Sequence, residues 1–278
     1  MTHCNCRGQT SIIRLGLVKS RGVWRHRYRC KACGKTFVQD YGYKWLNYAP
    51  STVRTALSLY AKGLTLREIA EELGCCHVTV WRWIVRYVRL LYRFVRRKQP
   101  GQVFQLHLDE LFLRMKKRFY YLFDSIDAAT RLAVFNLETQ RYQPHAMRLL
   151  QASPKAEYIV SDGLLSYQQA IRKAYHYKWL RQHYYRLCSF KSKRNNNIVE
   201  RLQGTLRRFL HPRRGFKSLR TGRTMLRFYY IYYNYIRKHT AIGMTPAEKA
   251  EAIKYKTANK WQELIAKAVL RLLPPTLI

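Results

Sequence analysis

The spacing of hydrophobic residues changes twice along this chain, which divides it into segments that must fold differently. Residues 1–40 alternate over short stretches rich in Cys, Gly and aromatic residues, which predicts a small β module. Residues 52–97 have apolar positions at helical spacing and predict three helices. Strand-like runs then occur at residues 103–108, 119–123 and 132–137, followed by a helix and a fourth strand at residues 158–160. The sequence beyond is mainly helical, with helices predicted at residues 166–174, 198–210, 221–237, 246–255 and 259–272.

Strands mixed with helices from residue 103 onward predict an α/β domain. A break rich in charge, Pro and Gly at residues 98–102 is typical of a linker. We therefore expect a zinc-ribbon-like module at residues 1–45, a three-helix domain at 46–97, a linker at 98–102, an α/β domain at 103–250 and a helical tail at 251–278.

Lys and Arg outnumber Asp and Glu by 53 to 15, so the formal net charge is +38. Because 47% of the residues are hydrophobic, the chain can form a core and is not a disordered basic tail. The charge predicts a polyanionic partner, and double-stranded DNA is the first choice. An anionic membrane surface is the alternative, but the sequence has no apolar run of about 18 residues and no signal segment. We expect a cytoplasmic protein that does not contact membranes.

Seven cysteines without a secretory signal favour metal ligands and buried thiols over disulfides. Cys30 and Cys33 have the Cys-x-x-Cys spacing of a zinc knuckle. The other two ligands would be Cys4 and Cys6, with His3 as a substitute for one of them, although Cys-x-Cys is tighter than the usual spacing. The alternative is that Cys30 and Cys33 are buried thiols. Zinc is favoured because a module of about 40 residues rarely folds without a metal or a disulfide.

Residues 65–86 have the pattern of a helix-turn-helix. Thr65 and Glu68 form a Thr-x-x-Glu capping pattern, the helix they begin ends at Gly74, and a second helix starts three residues later. The second helix would enter the major groove of DNA. Its candidate DNA contacts point away from the apolar stripe and are His77, Thr79, Arg82 and Arg86. The alternative for each of them is a solvated basic face.

Carboxylates are rare between Thr139 and Lys249, where the chain has only Glu157, Asp162, Glu200 and Glu248. A carboxylate repels phosphates unless it binds a cation, so these few are candidate metal ligands. Asp109 and Asp162 each follow a predicted strand, and Glu200 lies in a predicted helix. Such oxygen ligands suit Mg²⁺, and two ions about 3.5–4 Å apart catalyse phosphodiester chemistry. Taken singly, Asp162 fits an ordinary turn and Glu200 fits an ion pair with Arg207 or Arg208.

Several motifs together resemble the insertion-sequence DDE transposases of prokaryotes. Three of them are Asp109-Glu110 after a strand, Ser161-Asp162-Gly-Leu-Leu-Ser-Tyr167, and Asn196-Asn-Ile-Val-Glu200, with 37 residues between the second and third acids. Residues 213–218 and 232–248 resemble the end of the same catalytic domain. The resemblance covers about residues 103–250, and the zinc module and helix-turn-helix are similar to those that precede this domain in several families.

The resemblance implies a ribonuclease-H-like catalytic domain, which is a mixed sheet flanked by helices. Asp109 would lie on its first strand, Asp162 beyond its fourth strand and Glu200 on a later helix. These acids would hold two Mg²⁺ or Mn²⁺ ions, cut the ends of the element and join the 3′-hydroxyl to target DNA. The candidate phosphate contacts are Arg207, which lies seven residues after Glu200, and Lys191, Lys193 and Arg194.

The resemblance also implies the partners: the terminal inverted repeats of the element, its target DNA in the nucleoid, and a second copy of the chain, as a dimer or larger oligomer. The apolar stripe of the tail would pack between copies or on its own domain. Two other functions stay open on the sequence. One is a non-catalytic DNA-binding regulator derived from a transposase, and the other is a nuclease of the same fold.

Overall fold

The computed structural model of the chain describes residues 12–20, 23–38, 43, 47–96, 101–115, 118–175, 184–186, 196–213 and 216–272. The chain divides into two compact units. The first comprises Met1–Tyr60, Leu66–Phe94 and Lys256–Ile278, and the second comprises Ala61–Thr65 and Val95–Tyr255. The domain boundaries drawn from the sequence stay a prediction.

The first unit begins with a three-stranded antiparallel sheet of β1 (Ile12–Ser20), β2 (Val23–Cys30) and β3 (Thr36–Val38), in that order. Cys30 ends β2 and is buried, whereas Cys33 is exposed. The amide of Gly34 donates to the carbonyl of Cys30 at 2.9 Å, and its φ of 68° is readily adopted by glycine. The predicted turn behind Cys30 and Cys33 is therefore present. Cys4, Cys6 and His3 lie outside the described residues, so the zinc site stays a prediction.

We expect the purified protein to contain about one zinc ion per chain. Cys30 and Cys33 would bind it with two groups from among His3, Cys4 and Cys6, because two thiolates alone leave tetrahedral coordination incomplete. Elemental analysis measures the zinc. Cys33→Ser should reduce it strongly, while Cys76→Ser, at an exposed cysteine before α3, should leave it unchanged. If the wild-type protein held no zinc and a chelator left its N-terminal structure intact, the buried-thiol interpretation would replace this one.

The three predicted helices are present as α1 (Pro50–Lys62), α2 (Leu66–Glu72) and α3 (His77–Val95). Gly74, with a φ of 58°, lies in the turn between α2 and α3. Ile69 of α2 and Val80 and Ile84 of α3 are completely buried, which agrees with their predicted role in packing the two helices. The segment therefore has the helix-turn-helix arrangement predicted from the sequence.

The second unit is built on a five-stranded mixed sheet. Its strands are β4 (Gln102–Met115), β5 (Arg118–Asp127), β6 (Ala133–Glu138), β7 (Lys155–Ser161) and β8 (Tyr184–Arg186). Their order is β6-β5-β4-β7-β8; β4, β5 and β6 are antiparallel neighbours, and β7 and β8 continue the sheet in parallel. The predicted mixed α/β sheet is confirmed.

The described helices of the second unit are α4 (Gln143–Ala152), α5 (Leu165–Tyr175), α6 (Asn197–Leu210), α7 (Leu219–Ile231) and α8 (Pro246–Lys249). One core cluster contains buried residues of β4, β5 and β7 together with residues of α4 and α5, among them Leu106, Ile159 and Tyr167. The sheet thus packs its apolar face against these two helices, which fixes the strand ends that carry polar residues.

Three elements after residue 180 differ from the sequence prediction. The helix predicted at residues 221–237 changes after Ile231 into a π-helical turn, Tyr232–Ile236. The helix predicted at residues 246–255 ends at Lys249, and Glu251 has a φ of 53°, which a helix cannot contain. The strand β8 was not predicted, because three residues are too few to show an alternating pattern.

Asn234 of the π-helical turn is completely buried beside the edge strand β6. Its side-chain oxygen accepts from the amide of Ala133 at 2.9 Å, and its side-chain nitrogen donates to the carbonyl of Ala133 at 2.8 Å. The amide of Asn234 therefore satisfies both backbone groups of the first residue of β6, as a neighbouring strand would.

The C-terminal helix α9 (Lys260–Leu272) confirms the helix predicted at residues 259–272. Trp261, Leu264, Ile265 and Ala268 are buried within the single chain, which supports packing within the chain over packing between copies. Of all the helices described, none combines the length and apolar character that a membrane span requires.

Candidate active site

Asp109 lies in the interior of β4, the first strand of the mixed sheet, as the resemblance implied. The expectation that the strand ends before Asp109 was wrong. The parallel pairing of β4 with β7 stops at His107, but the antiparallel pairing with β5 continues to Met115. Asp109 is thus placed just beyond the part of β4 that β7 covers. Directly opposite it in β5 is Asp124.

Asp162 follows β7 directly, as predicted, and is exposed. Its side chain accepts a hydrogen bond from the amide of Leu164 at 3.1 Å, and Gly163 between them has a φ of 90°. Such a φ favours glycine, so the Asp-Gly sequence allows the sharp turn that holds the carboxylate at the end of β7.

Glu200 lies in the first turn of α6 and is exposed. The start of this helix is tied to β4 through Asn196, whose side-chain nitrogen donates to the carbonyl of Leu108 at 3.2 Å. The side-chain oxygen of Asn196 is 2.9 Å from Nδ1 of the buried His107. These contacts fix the first turn of α6, and with it Glu200, beside the strand segment that contains Asp109.

The charges of both other predicted acids act on the pKa of Asp109. Burial, with the charges of Asp162 and Glu200, raises the pKa of Asp109 to about 7, while Gln203 and Arg207 act in the opposite direction. The side-chain nitrogen of Gln203 donates to Asp109 at 3.0 Å. Negative charges on Asp109, Asp162 and Glu200 oppose one another, and a bound cation would relieve the repulsion.

A compact group of potential metal ligands contains Glu110 and two of the predicted acids, Asp109 and Asp162, but not Glu200. One ligand oxygen each of Asp109, Glu110 and Asp162 lie within 4.8 Å of one another. One carboxylate oxygen of Glu110 pairs with Arg141, and the other is buried without a hydrogen-bond partner among the described residues. A set of carboxylate oxygens with one left unsatisfied fits a hard divalent cation such as Mg²⁺.

Asp124 and Gln203 were missed in the sequence. Asp124 is completely buried, and burial together with the charge of Asp109 raises its pKa well above the usual range. Gln203 donates to Asp124 at 3.3 Å as well as to Asp109. For Asp124, the available signal was a polar residue within the apolar run of residues 119–126. For Gln203 there was none, because no local pattern connects β5 to a helix far along the chain.

The other predicted contacts fall in three groups. Arg207 is exposed on α6, and its charge lowers the pKa of Asp109. His77, Thr79, Arg82 and Arg86 all lie on α3, and none of them is buried. Lys191, Lys193 and Arg194 lie outside the described residues.

The raised pKa of Asp109 predicts that the metal-free protein loses stability as pH rises. The folded state holds the proton of this carboxyl group more tightly than the unfolded state does. The resulting stability is complete below the unfolded pKa and is lost as pH rises toward about 7. Asp109→Asn stays neutral, so it should raise the Tm of the metal-free protein more at pH 8 than at pH 5. At 1.36 kcal/mol per pKa unit, the upper limit is about 4 kcal/mol.

Thermal unfolding of the metal-free protein measures this effect, with Glu157→Gln as a control at an exposed carboxylate of β7. If Asp109→Asn raised the Tm equally at the two pH values, the effect would come from packing and not from ionisation of Asp109.

Comparison with known proteins gives consistent matches. Residues 103–239 match the family model of a DDE domain, and residues 44–90 match a homeodomain-like domain. The transposase for insertion sequence element IS257 in transposon Tn4003 of Staphylococcus aureus is 25% identical over 168 residues, which are 57% of this chain and 73% of the relative. The transposase for the insertion sequence-like element IS431mec of Staphylococcus aureus strain Mu50 matches to the same extent.

Among solved structures, the catalytic core domain of HTLV-2 integrase in complex with magnesium aligns over 55% of this chain and 97% of that chain, with 13% identity and a TM-score of 0.40. The simian T-cell lymphotropic virus intasome aligns over 73% of this chain and 76% of that chain, with 11% identity and a TM-score of 0.42. The matched region contains the mixed sheet, in which β4 contains Asp109 and β7 ends directly before Asp162. These sequence matches show that the chain belongs to the DDE transposases of insertion sequences.

Proposed function

We propose that this transposase cuts DNA at the ends of its element and joins the released 3′-hydroxyl to target DNA, with Asp109, Asp162 and Glu200 as its metal ligands. The observation that carries the proposal is the approach of Asp109 to Asp162 at the edge where β7 ends, with Glu200 near enough to change the pKa of Asp109. Divalent cations bound here would activate the attacking hydroxyl and stabilise the leaving oxygen.

The residues around the acids have separate tasks in this proposal. Gln203 orients one oxygen of Asp109 by donating to it at 3.0 Å. Arg141 holds Glu110 of β4 in place through a salt bridge. Arg207, which is exposed on the same helix as Glu200, contacts a phosphate of the DNA. Lys191, Lys193 and Arg194 are proposed as further phosphate contacts.

A strand-transfer assay tests the function directly. The protein is incubated with Mg²⁺, a labelled duplex that contains a candidate element end, and a supercoiled target. Joined products are expected, and they should depend on the divalent ion. Cleavage without joining would indicate a nuclease, and binding without either reaction would indicate a regulator.

Sequence-specific recognition of the element ends is proposed for the N-terminal 97 residues. Arg82→Ala and Arg86→Ala should each weaken binding to the end sequence by about tenfold, because loss of a base contact costs about 1–3 kcal/mol. Arg67→Ala, at an exposed arginine of α2, should weaken end and random duplexes equally. Competition binding with the two duplexes measures the difference. Full end-specific affinity in a chain that begins at Gln102 would contradict this assignment.

Two further properties belong to the proposal. Joining two ends in one reaction requires at least two copies of the chain, so we expect a dimer or larger oligomer on DNA. We place the protein in the prokaryotic cytoplasm at the nucleoid, where its DNA partner lies.

A further inference from the structure

A cavity of about 410 Å³ lies beside α6, within the second unit. Arg201, Thr205 and Arg208 line it and follow one another at helical spacing, so they share one face of α6. Glu200 and Gln203 are not part of the lining and belong to the face of α6 near Asp109. The helix therefore separates the acidic site from a second, distinct pocket.

The lining of this pocket is strongly basic. Besides Arg201 and Arg208 it includes Arg131, Arg237 and His239, and it contains no carboxylate. None of the four arginines forms a salt bridge within the described part of the chain. Burial, with the charges of Arg237 and Arg131, lowers the pKa of His239. Four unneutralised cations around one cavity repel each other, and an anion between them would remove that repulsion.

Gly204 provides a separate observation. A glycine inside a helix destabilises it by about 1 kcal/mol relative to alanine. A Cβ atom at Gly204 would meet nothing within 4 Å, so no neighbour among the described residues requires a glycine here. Its absent side chain leaves the wall of the pocket open between Arg201 and Arg208. Glycine at such a position is typical of a backbone that a ligand approaches closely.

We propose that this pocket binds a phosphate group of the DNA backbone, at a place separate from the acidic site. The inference rests on the proposed function in that the ligand is DNA. Guanidinium groups bind phosphate oxygens through paired hydrogen bonds, which suits the arginines of the lining. The volume lies within the range of about 300–1,000 Å³ that holds small ligands, so a phosphate fits together with its sugar. Because Glu200 lies on the same helix, a strand anchored here also positions α6 against the DNA.

The first test removes charge on one face of α6 and compares it with an equal loss elsewhere. The double variant Arg201→Gln, Arg208→Gln is matched by Arg220→Gln, Arg223→Gln, two exposed arginines of α7. Binding of the full chain to a fluorescent duplex is measured against salt, without added divalent metal. The slope of log K against log salt should fall by about 0.9, one phosphate contact, in the pocket variant and stay unchanged in the control. Equal slopes in the two variants would overturn the proposal.

A second test leaves every charge in place. Gly204→Trp fills the pocket, whereas Gly204→Ala adds one carbon where there is open space. We expect the tryptophan variant to lose the same slope as the arginine variant, and the alanine variant to bind like the wild type. Circular dichroism checks that both variants keep the helical content of the wild type. A tryptophan variant that keeps the wild-type slope would count against a phosphate in this pocket.

A third test separates DNA from a free nucleotide and locates the contact. A photo-crosslinking benzoylphenylalanine replaces Thr205 in the pocket or Thr224 in α7; each threonine donates its hydroxyl to a carbonyl one turn earlier, at 2.9 Å and 3.0 Å. Crosslinks to duplex DNA are expected from position 205 and not from 224. Crosslinks that free dTMP abolishes without displacing the duplex would show that the pocket takes a nucleotide and would overturn the proposal. Binding needs no catalysis, so failure here is distinct from failure of strand transfer.

Discussion

Replacing Asp109 or Asp162 with Asn, or Glu200 with Gln, should reduce DNA cleavage and joining by about 10³-fold or more. Metal ions contribute several kcal/mol to the stabilisation of the transition state, and each 1.36 kcal/mol is a factor of about ten in rate. DNA binding should remain nearly intact, because each variant removes one negative charge from a surface with a formal net charge of +38. Strand-transfer rates and gel-shift affinities measure the two effects.

Two further variants sharpen this experiment. Glu157→Gln removes an exposed carboxylate from the same strand that leads to Asp162, and it should have normal activity. Glu110→Gln tests the acid that lies within 4.8 Å of Asp109 and Asp162 but was not assigned as a ligand. If Glu110→Gln were inactive and Glu200→Gln nearly normal, the third ligand would be Glu110. Near-normal turnover of the Asp109 or Asp162 variant would refute the site itself.

Affinity for DNA should fall by about 10³-fold or more when salt is raised from about 50 to 200 mM. For each tenfold rise in salt, the logarithm of the binding constant falls by about 0.9 per neutralised phosphate. A chain this basic can engage about ten phosphates. Fluorescence anisotropy with end-containing and random duplexes measures the effect, which should be large for both.

An anionic membrane would produce a similar salt effect, so the control must compare the two polyanions. Duplex DNA and anionic vesicles compete for the protein at matched concentrations of negative charge. We expect DNA to win at every salt concentration. Preference for vesicles would overturn the function proposed for the basic surface.

Local patterns were sufficient to predict most of the elements that carry the site. Alternation predicted β4, β5, β6 and β7, and helical spacing predicted α6 with Glu200 near its start. Carboxylates are scarce in this basic chain, and an unpaired one repels phosphates. This was sufficient to single out Asp162 and Glu200 as candidate metal ligands. Strands mixed with helices predicted the α/β class, and the mixed sheet confirmed it.

The contacts that surround Asp109 could not be predicted in this way. Asp109 was expected at a strand end because the apolar alternation weakens there, but pairing with β5 continues the strand to Met115. The same pairing places Asp124 opposite Asp109, and Gln203 reaches both from a helix more than seventy residues away. Such contacts depend on register and on long-range packing, which a single sequence does not show.

The buried amide of Asn234 also restricts how copies of this chain can assemble. An uncovered edge strand invites another strand to extend the sheet, a common route to unwanted association. At the start of β6, both backbone groups of Ala133 are already occupied by that side chain. A second copy therefore cannot lengthen the sheet by pairing its backbone with this residue. One polar residue among the tyrosines of residues 232–235 thus blocks strand addition at the start of this edge.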